Sequence, residues 1–185
     1  CEYSGAVRDE FIKLGHDAMS CDLLPTDAPG PHYQGDVFDI INDGWDLMIA
    51  FPPCTHLALS GAPHFEKKRQ DGRQQEALEF VKSLMLAPID KIAIENPLGI
   101  ISSNIRPHDQ VIQPYEFGDP FQKSTCLWLK NLPKLKPTNI VEKGEFKEWI
   151  DKKTGKKKRQ PMWFFEALNK GDLRWKIRSQ TFPGI

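Results

Sequence analysis

Two strand-length apolar runs separated by one amphipathic helix constrain this chain more than any other feature. Trp45 to Phe51 (WDLMIAF) and Lys91 to Ile94 lack the polar alternation of a half-exposed strand. Between them, Gln75 to Leu86 carries an apolar stripe at Leu78, Val81 and Leu84 or Met85. Strands buried on both faces and joined through helices predict a doubly wound α/β arrangement with a mostly parallel sheet. Ligands of such sheets sit beyond the carboxyl ends of the strands, and Glu2, Asp22, Asp36, Cys54 and Glu95 are all expected there.

The remaining segments fit the same plan. Val7, Phe11 and Leu14 fall at helical spacing and Gly15 follows as a stop. Asp17 to Leu24 reads as a short strand carrying Asp22, Pro25 to Gly35 as a loop, and Asp36 to Ile41 as a short helix. Both ends read as clipped, since no apolar strand leads into the opening turn. From Asn139 to Trp175 charged and aromatic residues dominate, with a basic hairpin or loop at Asp151 to Arg159. The chain divides on this reading into a core at 1–138, a small basic appendage at 139–173, and a return segment to the core at 174–185.

At 185 residues and 39% hydrophobic, the chain suffices for one sizeable core. Lysine plus arginine equals aspartate plus glutamate at 25 each, so nucleic-acid binding has to come from local clusters. Cys1, Cys21, Cys54 and Cys126 form no CxxC pair, which argues against a zinc site and a disulfide framework and for a reducing cytoplasm. No apolar stretch of membrane-spanning length and no export leader is present, so neither metal nor membrane is expected.

A cysteine directly after two prolines, at the end of a buried strand, is presented on a stiff backbone. Alone, Cys54 reads more readily as a small buried hydrophobe, the usual fate of a free cysteine. Glu95-Asn96-Pro97 ends the next core strand and would set a carboxylate beside the thiol at the same sheet edge; the plain alternative is a solvated strand cap.

Phe51-Pro52-Pro53-Cys54 followed by Glu95-Asn96-Pro97 resembles the paired motifs of the DNA cytosine-C5 methyltransferases, proline-proline-cysteine and glutamate-asparagine-valine. It is most similar to short methyltransferase-like proteins of bacteriophages and prophages, through the CEYSG opening, PPCT, ENP and the KSTCLWL segment, over nearly the whole chain. The resemblance implies a Rossmann-like, S-adenosylmethionine-dependent enzyme that acts on DNA in the bacterial host cytoplasm. Cys54 would be its nucleophile and Glu95 its acid, supported by Pro53 and Asn96.

For the cofactor, the resemblance implies Cys1, Glu2, Tyr3 and Gly5 at the first turn, with Asp22 near the ribose, Asp36 near the adenine, and Pro52 nearby. Tyr3 stands where the family prefers glycine, and both aspartates read equally as caps or solvated loop residues. For DNA, it implies Thr55 and His56 on a mobile segment and Lys123 and Ser124 where the family has a glutamine and arginine motif. Lys156, Lys157, Lys158 and Arg159 would lie in the target-recognition region, although a solubilising hairpin tip explains that cluster equally well.

Three other readings are open. The same thiol and acid suit C5 modification of a free pyrimidine nucleotide or a different one-carbon donor. A cysteine hydrolase would pair Cys54 with His56 or His64 and leave ENP unexplained. A methyltransferase-derived, non-enzymatic DNA-binding protein would tolerate loss of Cys54.

Overall fold

A computed structural model describes residues 1–168 and Gly171, so the expected return segment at 174–185 lies outside the described residues. The chain divides into two compact units, Cys1–Val111 with Thr125–Lys134, and Ile112–Ser124 with Leu135–Ile185.

In the first unit, helix α1 (Ala6–Lys13) starts after Gly5, whose φ of 75° suits glycine. The Glu2 carboxylate accepts from Val7 N at 2.8 Å and so satisfies a first-turn amide. Gly15, at φ 87°, follows the last turn. Strands β1 (Ser20–Asp22) and β2 (His32–Gln34) pair in parallel, Ser20 with His32 and Asp22 with Gln34. A short 3-10 turn, Val37–Asp39, stands where a helix from Asp36 is expected.

Strand β3 (Leu47–Ala50) leads through a 3-10 segment, Leu59–His64, into α2 (Phe65–Gln70) and α3 (Arg73–Met85). The chain then returns as β4 (Lys91–Pro97), parallel to β3 with Ala50 opposite Ile94. Gln74, Leu78, Val81 and Leu84 form the buried face of α3, as their helical spacing requires. Val81 and Leu84 are fully buried, and each such side chain contributes about 1.5–3 kcal/mol by leaving water. They pack with Ile92, Ile94, Ile101 and Trp128 in the core.

Helix α4 (Ile101–Asn104), β5 (Gln110–Ile112) and β6 (Thr125–Lys130) follow, and the sheet order is β3-β4-β6-β5. Here the expectation of one mostly parallel, doubly wound sheet is met only in part. Strand β6 runs antiparallel to β4, with Glu95 opposite Leu127 and Asn96 opposite Cys126, while β1 and β2 form a separate two-stranded sheet. Between β4 and its neighbour β6 the chain holds only the four-residue α4, the short β5 and a 3-10 turn at Pro114–Glu116, and no long crossover helix of the kind that parallel neighbours need. The described chain is a mixed α/β protein with small sheets.

In the second unit, β7 (Phe146–Ile150) and β8 (Lys157–Pro161) form an antiparallel hairpin, followed by α5 (Met162–Leu168). Trp149 meets Phe165 edge-on at 5.5 Å, which fastens the hairpin to α5.

Candidate active site

The two motif loops are joined by backbone geometry. Residues on β4 alternate in facing, so the buried Asn96 follows Ile94 while Glu95 follows Ala93 on the other face. Asn96 is 1% exposed, and its Nδ2 donates to Pro52 O at 2.8 Å. Its Oδ1 is buried without a hydrogen-bond partner among the described residues. One side chain thereby fixes the Pro52-Pro53-Cys54 loop beside the strand end that carries Glu95. Cys54 and Glu95 are both half-buried.

Beyond the thiol, Cys54 O accepts from Leu57 N at 3.0 Å and Ala58 N at 2.9 Å, closing a turn. The turn is stitched to the loop after Pro97, since Leu59 N donates to Leu98 O and Ile100 N to Leu57 O, both at 3.0 Å. Only glycine fits at 99, because a Cβ there would lie 2.3 Å from Leu57 O. Two buried polar side chains hold the same turn from the helices. Lys68 Nζ donates to Thr55 O, and Gln74 Nε2 donates to His56 O at 3.2 Å. Thr55 is exposed, whereas His56 Nδ1 is buried without a partner among the described residues. Burial, then Lys68 and Arg73, hold His56 below its ordinary pKa.

Cys126 differs from Cys54 in its surroundings. It is 1% exposed, and burial followed by the charge of Glu95 pushes its thiol up to about 11. At pH 8 only about one part in a thousand is thiolate. Iodoacetamide is therefore expected to spare Cys126 in the folded protein and to label it after denaturation. Peptide mass spectrometry checks this, and native labelling at the rate of an ordinary thiol would contradict it.

The residues assigned to the cofactor form a second cluster. Glu2 N donates to Cys21 O at 2.8 Å, which lays Cys1 to Tyr3 along β1, and Tyr3 O accepts from Asp27 N at 2.8 Å. Asp22 accepts from Leu24 N and Asp36 from Phe38 N, both at 3.0 Å and each through one oxygen. The second oxygen of each has no hydrogen bond among the described residues, so both acids retain an acceptor for a ligand hydroxyl or amine. They also act as turn and helix caps. Gly5 offers no open cradle, because a Cβ there would lie 2.4 Å from the Arg8 guanidinium. Each acid keeps one open acceptor, while the space under Gly5 is filled by Arg8.

Arg8 is the residue that the spacing of α1 does not reveal. Its side chain is fully buried, with Nε on Asp9 at 2.8 Å. Nη1 reaches Ser20 Oγ at 3.2 Å and Pro31 O at 3.4 Å, and Nη2 reaches Pro29 O at 3.0 Å and Ala28 O at 3.3 Å. The pair of glycines at 5 and 30, both crowded by this guanidinium, is the only trace it leaves in the sequence.

The remaining sites lie in the second unit. Gln113 bridges two of them, accepting from Lys123 N at 3.1 Å and donating to Ser124 Oγ at 2.8 Å. On the hairpin, Lys157 pairs with Glu148 at 2.6 Å, Lys158 pairs with Asp151, and Arg159 stacks 5.1 Å above the Phe146 ring. Lys156 is exposed in the turn. The Lys158 ammonium and turn amides hold the Asp151 carboxyl well below the usual carboxylate range. Local acids thus offset part of this basic cluster.

Among the described residues no group of three or more histidine, cysteine or acidic side chains is placed to hold a metal, and no helix is long and apolar enough to cross a membrane. No known protein family, curated protein or solved structure matches the chain.

Proposed function

We propose that the chain is an S-adenosylmethionine-dependent DNA cytosine-C5 methyltransferase of Rossmann-like fold, working in a bacterial host cytoplasm. The observation that supports it most is the 2.8 Å bond from Asn96 to Pro52 O, which holds a Pro-Pro-Cys loop against the strand end bearing Glu95.

Carbon 5 of cytosine is too weak a nucleophile to be methylated directly. Cys54 therefore adds as thiolate to carbon 6 while Glu95, as the protonated acid, gives its proton to ring nitrogen 3, and the base becomes an enamine. Bound against Asp22, Asp36 and the Cys1 to Gly5 turn, S-adenosylmethionine supplies an electrophilic methyl group for carbon 5. Nitrogen 3 then returns its proton to Glu95, the carbon 5 proton passes to solvent water, and its electron pair restores the 5,6 double bond as Cys54 departs as thiolate. The target base is swung out of the duplex to reach Cys54, with Thr55, His56, Lys123, Ser124 and the hairpin residues Lys156 to Arg159 contacting DNA. Pro53 stiffens the approach to the thiol, since proline holds φ fixed.

The filled space at Gly5 favours one second reading, in which Cys54 and Glu95 keep their roles but the one-carbon donor differs. Incubating the full chain with 5-fluorocytosine duplex DNA and S-adenosylmethionine separates the two, because the fluorine at carbon 5 cannot leave as the proton does. A methylated adduct at Cys54 in the peptide mass spectrum is the expected result. Absence of an adduct, with no S-adenosylmethionine binding by calorimetry, would overturn the first reading.

A further inference from the structure

Lys68 is 8% exposed, yet no ion pair among the described residues includes it. The acids nearest in sequence are engaged elsewhere, Glu66 with Arg69 at 2.6 Å and Asp71 with Arg73. Its contacts are Thr55 O and the Phe65 ring, whose centroid lies 5.9 Å from Nζ. A lysine is rarely this buried without a counter-charge, because desolvating an ammonium is costly. The cost falls at one particular place, since Thr55 directly follows Cys54. The field of Lys68 is felt on this turn, where it is the second cause after burial of the lowered pKa of His56.

We propose that Lys68 is a positioning residue for Cys54: its buried ammonium holds the peptide after the thiol and is a charge that favours the Cys54 thiolate. Thiols beside a cation ionise more readily, and a thiolate on this turn would supply the counter-charge that Lys68 lacks. Other charged groups among the described residues bear on the same turn. Glu95, which the proposed mechanism sets beside Cys54, would oppose thiolate formation when ionised. On His56, Arg73 adds to the positive field but is paired with Asp71, and Asp71 and Glu76 oppose it. Lys68 is the one buried cation among them with no acid on it. Gln74 shares the mechanical part of the work through His56 O and carries no charge.

The inference rests on the reading of Cys54 as the nucleophile, but its test needs neither DNA nor cofactor. The rate of Cys54 alkylation by iodoacetamide is followed by peptide mass spectrometry from pH 5.5 to 10 in the full chain and in Lys68→Met and Lys68→Arg. Methionine keeps length and bulk without charge; arginine keeps charge. The Lys68→Met midpoint is expected to rise by about one unit, giving roughly tenfold slower alkylation at pH 7, while Lys68→Arg stays within about threefold of the native rate. An unshifted Lys68→Met profile, or a Lys68→Arg profile as slow as that of methionine, would overturn the proposal. If circular dichroism shows Lys68→Met unfolded, Lys68→Gln takes its place, a raised midpoint upholding the proposal and a native one overturning it. A shifted midpoint without any 5-fluorocytosine adduct would separate the two readings, upholding Lys68 while removing the DNA chemistry.

Discussion

Cys54→Ser is expected to lower methyl transfer by about 10⁴-fold or more while leaving the fold intact. Serine is nearly the same size, but its hydroxyl ionises far outside the working pH range, so carbon 6 of the base meets no competent nucleophile. The fold should survive because the bonds that hold the loop use backbone atoms and Asn96. Cys54 O accepts from Leu57 and Ala58, and Pro52 O accepts from Asn96. Single-turnover transfer of a tritiated methyl group measures the first effect and thermal unfolding the second. A serine variant that retained more than about one hundredth of native turnover would remove covalent catalysis from the proposed mechanism. One that lost activity together with its melting transition would leave Cys54 as a packing residue, the plain reading of a free cysteine.

Strands β3 and β4 were legible as apolar runs of strand length, and helix α3 because its burial has a period. Leu78, Val81 and Leu84 repeat at helical spacing, and Ile92 and Ile94 are buried between half-exposed neighbours. The direction of β6 was not legible. Its residues Thr125 to Trp128 are all buried, and a continuous buried run reads alike beside a parallel or an antiparallel neighbour. Nor was α2 visible, since Phe65 is the single apolar residue in FEKKRQ.

The site divides in the same way. Cys54 and Glu95 announce themselves by proline and by their places at strand ends. Lys68 sits in a run of three basic residues and looks like a solvated face, although it alone of the three is buried. Gln74 carried a usable signal, for it continues the stripe of Leu78 and Val81 one turn earlier, where a polar side chain must have a partner. Gly5 is legible as a glycine whose conformation is required, but sequence alone cannot say what crowds it. Arg8 in the structure supplies a local cause that sits alongside the assignment of this turn to a ligand.

Arg8→Met should therefore be among the most destabilising substitutions in the first unit, by about 3–5 kcal/mol. The native guanidinium fills the space under Gly5 and Gly30 and donates to Ser20 and to the carbonyls of Ala28, Pro29 and Pro31. Methionine fills part of that space and donates nothing, so the buried Ser20 hydroxyl and three part-buried carbonyls lose a donor and Asp9 loses its neighbouring charge. Lysine should recover little, because one ammonium cannot span acceptors that the planar fork reaches from two nitrogens. For a chain of this size the loss corresponds to a fall in Tm of about 10–15 °C. Hydrogen exchange adds a local readout. The Asp27 amide, bound to Tyr3 O, should lose protection before the amides of β4 do, because the loop is released first and the sheet only when the unit unfolds. An Arg8→Met protein melting within about 2 °C of native would mean that the carbonyls find water without cost and that the buried guanidinium is an accident of packing.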